Sequence, residues 1–269
     1  MNTYSLLSQA QLIRVSDGQL TALFDNCPSA KRRLILLWPQ LGDFDALEYA
    51  WWVGRDRLKL AAAHVEVRAV GIGDRAAGQK FCAYTGFSPE QLFVDSTASL
   101  HQELGLYKGL TASLPGFSAQ QNGYLSLLLM CAGIGSPGTL TEVLRGYKGD
   151  KSAPQLIGDD EVVKAAPLPP LKGEVFKRAG GKGFQRPFEL ATLRLRNMAE
   201  VLGNWKTYVP DATYLTQRGG TFLFEPDGEG AQKLVYEWRD RNILGFAKDM
   251  SDPLSFLHKL FEQHLNSPN

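Results

Sequence analysis

Short apolar runs alternate with helical patterns through the first hundred residues. The segment Leu34–Trp38 is continuously apolar and is followed by Pro39, which predicts a strand buried on both faces that stops at the proline. His64–Gly73 predicts a second strand, and Gln91–Asp95 predicts a third, shorter one. Between them, apolar positions recur at helical spacing. This order of strands and helices indicates an α/β sheet that is covered by helices on both faces.

Turn signals predict a hairpin near each end of the chain. Asp17 and Gly18 lie between two short alternating pieces near the N-terminus. Near the C-terminus, Gly220–Phe224 and Lys233–Trp238 flank a cluster of turn residues, Pro226–Gly230. Both pairs of segments are therefore expected to be antiparallel.

Residues from about 110 to 210 lack this regular alternation. Thr139–Tyr147 predicts a short amphipathic helix, and Phe188–Trp205 carries the longest helical pattern in the chain. Lys151–Pro170 contains four prolines and predicts a loop. A stretch of this kind inside an alternating pattern indicates an insertion.

The overall charge excludes some classes of protein. The chain has 269 residues with 29 Lys and Arg against 28 Asp and Glu, so the formal net charge is +1. This near balance disfavours a globally basic nucleic-acid-binding protein, and there is no strong nucleic-acid signal.

The apolar stretch Tyr124–Ile134 is too short to cross a bilayer, so no transmembrane segment is predicted. The start of the chain has no pattern of a secretory signal.

The cysteines give information about the compartment and the cofactors. Cys27, Cys82 and Cys131 are odd in number and far apart, and no Cys-x-x-Cys or Cys/His cluster is present. This usage disfavours a disulfide scaffold and a structural zinc site. We therefore predict no metal and no cofactor, and a cytoplasmic location or another reducing compartment such as a stroma. Cys131 follows an apolar run, and we expect it in the core.

A basic segment interleaved with aromatic residues and glycines begins near residue 172. We predict that its cationic residues form a partner-binding surface. They are Lys172, Lys177, Arg178, Lys182 and Arg186. Such a segment in a nearly neutral protein can bind acidic proteins, phosphates, RNA or an anionic membrane surface. We favour an acidic protein partner and keep peripheral membrane contact open. The alternative is an ordinary solvated loop.

Three groups of residues carry a resemblance to a known family. They are Leu34–Pro39 running into Gly42, then Phe93–Asp95 followed by Leu100 and Leu104–Leu106, and finally Gly219–Gly228 followed by Val235–Trp238. In this order and spacing the chain resembles the thioredoxin fold, and within it the peroxiredoxin-like branch often labelled alkyl hydroperoxide reductase/thiol-specific antioxidant (AhpC/TSA). The resemblance implies a single thioredoxin-like domain over residues 1–269. Its core would comprise about 10–110 and 215–265, with a large, partly helical insertion at about 110–210.

The resemblance also shows where the family's chemistry would lie. Peroxiredoxins carry a Pro-x-x-x-Thr-x-x-Cys motif at the start of the first long helix. Here Pro39 matches the proline, Gly42 lies in the loop, Asp43 takes the threonine position and Ala46 takes the position of the peroxidatic cysteine. Alanine has no nucleophile, and no cysteine lies close enough in sequence for a shifted alignment to supply one. Arg218 lies near the place where peroxiredoxins have an active-site arginine.

Two functions follow from this departure. The first is a peroxiredoxin-like protein without the usual cysteine that acts as a binding, accessory or assembly protein. The second is a thiol-dependent oxidoreductase or antioxidant that uses Cys27 or Cys82 in a non-standard geometry.

Overall fold

The protein is described here from a computed structural model that covers residues 2–28, 31–227 and 231–265. The strands are β1 (Gln11–Arg14), β2 (Leu20–Ala22), β3 (Arg32–Gln40), β4 (Val65–Ile72), β5 (Leu92–Val94), β6 (Val162–Val163), β7 (Leu171–Lys172), β8 (Gly220–Pro226) and β9 (Gln232–Arg239). The helices are α1 (Thr3–Gln9), α2 (Phe44–Arg55), α3 (Arg57–Ala62), α4 (Arg75–Thr85), α5 (Ser99–Glu103), α6 (Ala119–Cys131), α7 (Thr139–Lys148), α8 (Glu189–Gly203), α9 (Trp205–Tyr208) and α10 (His258–Leu265).

Seven strands form one mixed sheet in the order β2-β1-β5-β4-β3-β8-β9. The strands β3, β4 and β5 are parallel, whereas β1 and β8 join them in antiparallel fashion. Both predicted hairpins are confirmed, as β1–β2 and β8–β9. The predicted turn residues Gly228–Gly230 lie outside the described residues. This helix-flanked sheet has the mixed α/β architecture of a thioredoxin-like fold.

The prediction that the first buried strand stops at Pro39 is wrong. Strand β3 continues to Gln40, and its register against β4 shifts because Trp38 pairs with Gly71 whereas Gln40 pairs with Ile72. Pro39 is the extra residue in this irregularity. Proline has no N–H to donate to a sheet, so a bulge accommodates it without breaking the strand.

The alternation along β3 divides the core into two layers. Leu34, Leu36 and Trp38 pack in one buried cluster, whereas Ile35 and Leu37 pack in another. Successive side chains of a strand point to opposite faces, so both faces of the sheet are covered. Strand β3 is therefore buried on both sides, as its continuous apolar sequence predicts.

The middle of the chain packs against the first of these layers. Leu190 and Leu193 of α8 belong to the same buried cluster as Trp38. The two helices predicted here are confirmed as α7 and α8, although α8 begins at Glu189 and ends at Gly203. The predicted loop contains one short strand, β6, which pairs with β7. Among the described residues, no helix is long and apolar enough to span a membrane.

Candidate functional site

The site loop, defined here as Pro39–Ala46, connects the end of β3 to the first turn of α2. Asp43 is the N-cap of this helix, because its Oδ1 accepts the N–H of Asp45 at 3.0 Å. The loop is covered by other parts of the chain. A Cβ atom on Gly42 would lie 2.8 Å from the Cβ atom of Tyr208, so the close approach of Tyr208 requires glycine here.

Arg218 lies beside this loop and is held by two of its carboxylates. Its Nη2 donates to Asp43 Oδ2 at 2.6 Å, and its Nη1 donates to Asp45 Oδ2 at 3.3 Å. Its Nε donates to the carbonyl oxygen of Thr216 at 3.1 Å. Arg218 and Asp45 are both fully buried. Every nitrogen of the guanidinium therefore has an acceptor from the protein itself.

A third carboxyl group, that of Asp240, is buried near the same arginine. Burial raises the pKa of Asp240 to about 8, although Arg218 and the N–H of Gly219 oppose that shift. Burial and the neighbouring Asp43 also raise the pKa of Asp45 well above its usual range. Burial opposes the charge of Arg218, but Asp43 and Asp45 outweigh it and raise the pKa of the guanidinium. A positive charge beside the loop is thus matched by several carboxyl groups.

Ala46 lies in the first turn of α2 and is fully buried. Its methyl group can neither attack an electrophile nor carry charge. One turn later, the hydroxyl of Tyr49 shares a hydrogen bond of 3.0 Å with the hydroxyl of Thr221. Burial raises the pKa of Tyr49 far above its ordinary value, so this hydroxyl stays protonated. Neither Ala46 nor Tyr49 can therefore replace a thiolate at the start of α2.

Cys27 is buried, although its position in a loop before a proline suggests exposure. Burial raises the pKa of its thiol, and the nearby Arg33 and Arg68 only partly offset this effect. The carbonyl oxygen of Cys27 accepts a hydrogen bond from Arg33, which lies at the first end of β3. The site loop begins at the opposite end of β3. Six residues separate Arg33 from Pro39, which corresponds to about 20 Å along a strand. The structure does not bring Cys27 to the loop.

Cys82 is buried on α4, and burial alone raises the pKa of its thiol to about 12. At neutral pH this side chain is a protonated thiol, which is a poor nucleophile.

Cys131 is the cysteine that shares a cavity with the site loop. The prediction that it lies in the core is wrong. It is exposed at the end of α6, where it lines a small cavity of about 70 Å3 together with Gly42 and Asp43. Partial shielding and the negative charge of Asp43 raise the pKa of its thiol, whereas Arg218 lowers it by less. The apolar sequence before Cys131 hid this position, because Leu127–Met130 are all apolar although only Met130 among them is buried.

The basic segment is less positive in the structure than in the sequence. Arg186 is fully buried, so its prediction as a surface residue for partner binding is wrong. Its guanidinium pairs with Asp159 at 2.9 Å and with Glu189 at 2.5 Å. A buried arginine needs such partners. Glu189 lies three residues further along the chain, whereas Asp159 lies 27 residues away in the sequence.

The other four cationic residues remain at or near the surface. Lys177 pairs with Asp159 at 2.8 Å, and Lys182 lies 3.5 Å from the same carboxylate. Lys172 lies 3.8 Å from Glu174, and Arg178 is exposed. The hydrogen bond from Lys177 lowers the pKa of Asp159 to about 2. Part of the positive charge is therefore neutralised within the chain.

No group of side chains suited to hold a metal ion is found within residues 2–28, 31–227 and 231–265. The site loop contains the carboxyl groups of Asp43 and Asp45, but it has no histidine or cysteine to complete a usual set of transition-metal ligands.

Comparison with known proteins gives one match. Residues 55–242 match the family described as AhpC/TSA antioxidant enzyme. Searches of curated proteins and of solved structures found no match. The matched region covers more than half of the chain and includes β4, β5, β8 and Arg218, but it begins after the site loop. The chain therefore belongs to the AhpC/TSA antioxidant enzyme family, a peroxiredoxin-like family with the thioredoxin fold.

Proposed function

We propose that this peroxiredoxin-like protein acts by binding a partner and does not reduce peroxides at the site loop. The observation that supports this most is the pairing of Arg218 with Asp43 and Asp45 at the start of α2. In a peroxiredoxin-like site, a helix N-terminus and an arginine stabilise a thiolate. In this chain the same positive charges contact the carboxyl groups of Asp43 and Asp45, and Ala46 takes the place of the sulfur.

The second candidate function is thiol-dependent oxidation and reduction at a non-standard cysteine. Cys27 and Cys82 are poorly suited to it because both thiols are buried and have raised pKa values. Cys131 is better placed, since it lines the cavity beside Asp43. Its raised pKa still leaves little thiolate at neutral pH, so we favour the binding function.

Peroxide turnover separates the two functions. The reduced protein is incubated with hydrogen peroxide and an excess of dithiothreitol, and the loss of peroxide is followed against dithiothreitol alone. Oxidation of each cysteine is read by mass spectrometry. We expect no catalytic loss of peroxide, and we expect the Cys27→Ser, Cys82→Ser and Cys131→Ser variants to match the parent protein.

The opposite result would identify the responsible thiol. If peroxide is consumed catalytically and one of the three serine variants abolishes this activity, the protein is a thiol peroxidase and the binding function is rejected.

We assign the binding surface to four cationic residues, of which Lys177 is half-buried and Lys172, Arg178 and Lys182 are exposed. Arg178 and Lys182 present the least compensated charge of this set. A cationic surface of this type recognises carboxylate-rich chains through long-range attraction that salt weakens. The favoured partner is an acidic protein in a reducing compartment, the cytoplasm or a stroma, and neither a metal nor a cofactor is required.

A charge-matched pair of variants tests this surface. Lys177→Gln, Arg178→Gln and Lys182→Gln are combined in one protein, and Lys206→Gln, Lys233→Gln and Lys248→Gln are combined in the control. We expect the first variant to bind poly-L-glutamate about tenfold more weakly at low salt, a loss typical of several charge contacts. We expect the control to bind within about twofold of the parent protein. Equal binding by both variants would remove the surface from consideration.

A further inference from the structure

An apolar pocket lies between α7 and α8, on the other side of Phe44 from the small cavity beside Asp43. Its volume is about 330 Å3, and it is open to solvent on one side. The walls are almost entirely hydrocarbon, with Leu168, Leu195 and Met198 among them. Phe44 lines both this pocket and the small cavity. Pockets of this size and composition are typical of sites for small molecules.

The backbone around the pocket is strained at two bulky residues. Phe188 has a φ angle of 68° and Leu244 has a φ angle of 56°, and both line the pocket. These are the two largest apolar side chains among the described non-glycine residues in the left-handed region. Each such conformation is unfavourable for a residue with a large side chain. Residues of this kind cluster at ligand-binding sites, where the surrounding structure holds them in place.

The rim of the pocket carries two exposed aromatic rings. Tyr147 is 51% exposed and Phe188 is 56% exposed, and their ring centroids are 6.1 Å apart in an edge-to-face arrangement. The N–H of Phe188 donates to the carbonyl oxygen of Tyr147 at 3.2 Å, which fixes the two residues relative to each other. Exposed aromatic side chains next to an open apolar pocket are available to contact a bound molecule.

The charge of the pocket selects an uncharged group. Arg194 lines one wall, but it pairs with Glu48 at 2.8 Å and with Glu142 at 2.6 Å. These two carboxylates neutralise the guanidinium, so it offers no free positive charge to an anion. A charged ligand group inside this pocket would lose its hydration without gaining a partner.

The pocket is larger than a single inserted protein side chain would fill. A cavity of about 150 Å3 holds one benzene ring, so about 330 Å3 exceeds what one inserted phenylalanine would fill. At that packing, the pocket holds roughly a dozen carbon atoms. We infer that it binds the alkyl chain of a free, uncharged amphiphile whose polar end stays at the open rim between Tyr147 and Phe188. This occupancy does not depend on whether any thiol of the protein reacts.

The neutral dye N-phenyl-1-naphthylamine tests this assignment. The dye fluoresces more strongly in an apolar site, and 1-decanol serves as the competing amphiphile. We expect saturable binding of about one dye per chain, and full displacement by 1-decanol. Ala191→Phe places a ring inside the pocket and is expected to weaken dye binding at least about tenfold, whereas Leu202→Phe, on the exposed side of the same helix, leaves it within about twofold.

A second pair of variants decides the question if Ala191→Phe does not fold. Tyr147 and Leu140 lie on the same helix and are 51% and 53% exposed, but only Tyr147 lines the pocket. We expect Tyr147→Ala to weaken dye binding about fivefold and Leu140→Ala to leave it unchanged. Equal effects of the two variants, or no saturable binding, would overturn the assignment.

Vesicles of phosphatidylcholine distinguish a free amphiphile from a bilayer. Three results together would show that the pocket is part of a membrane contact: the protein sediments with the vesicles, Tyr147→Ala abolishes the sedimentation, and 1-decanol does not displace the dye. The assignment to a free ligand would then fail. We expect no sedimentation at concentrations where 1-decanol binds.

Discussion

The sheet region and the middle region, residues 110–210, treat their apolar side chains differently. Among the described residues, the large apolar side chains that are exposed lie almost all in the middle region. Outside it, only Leu20, Leu58 and Val235 are exposed. The middle region instead exposes Leu128, Leu144 and others along α6 and α7. Exposed apolar surface is a common feature of interaction sites, so the middle region is where we look for the binding that we propose.

Both regions, however, bury charge in the same way. In the sheet region Arg218 pairs with Asp43 and Asp45, and in the middle region Arg186 pairs with Glu189. Similar buried ion pairs therefore stabilise the interior of both regions. They differ in what they present to solvent.

Removal of Arg218 or Arg186, which are both fully buried, is expected to give the largest effects. Arg218→Met leaves Asp43 and Asp45 without their cation, and we expect the free energy of unfolding to fall by about 4 kcal/mol. Arg186→Met is expected to cost about 3 kcal/mol, because Lys177 and Lys182 still neutralise Asp159 and only Glu189 is left unpaired. Urea unfolding followed by circular dichroism and by tryptophan fluorescence measures both values.

The same measurement sharpens the comparison between the regions. Arg241→Met, an exposed position, serves as the control and is expected to change the free energy of unfolding by less than about 0.5 kcal/mol. If the regions unfold together, each variant shifts a single transition seen by both probes. A loss below about 1 kcal/mol in Arg218→Met would contradict its place in a buried ion-pair cluster.

The buried Asp240 is expected to make stability depend on pH, with a smaller effect. Its pKa is about 8 in the folded protein and near 3.8 in the unfolded chain. Between these values the folded state keeps a proton that the unfolded state releases, so the free energy of unfolding decreases as pH rises from about 4 to 8. Asp45, whose pKa is also raised, acts in the same direction, and Arg218 opposes both shifts.

The Asp240→Asn variant removes this proton exchange. We expect it to match the parent protein near pH 4 and to be more stable by about 1–3 kcal/mol near pH 8. Thermal unfolding from pH 4 to pH 8 measures the difference, and Asp160→Asn provides a control at an exposed carboxylate. A difference that stays constant over this range would contradict a raised pKa at Asp240.

Local sequence patterns predicted much of the fold. Leu34–Trp38 indicates a strand because a continuous apolar run of this length fits burial on both faces, and the alternation of its side chains between two clusters confirms it. Asp43 identifies the start of α2, because a cap acts through its own neighbours. The division of the chain at residues 110 and 210 stays a prediction, since α8 shares its buried cluster with β3.

The site could be predicted only in part, because its charges meet across long distances in the sequence. Asp45 and Asp240 belong to different elements, and only folding brings them to Arg218. Arg186 lies near several lysines in the sequence, which predicts solvent exposure, whereas in the structure it is buried and pairs with Asp159, 27 residues away. Cys131 follows four apolar residues, and nothing local distinguishes a covered helix from an uncovered one.

Asp45 faces two sites with its two oxygen atoms. Oδ2 holds Arg218, and Oδ1 accepts the N–H of Leu244 at 2.8 Å. Leu244 is also one of the strained residues in the wall of the apolar pocket. A single carboxyl group thus connects the arginine beside the start of α2 to the backbone in the wall of the apolar pocket. Evolution or engineering that alters one of these places will move the other.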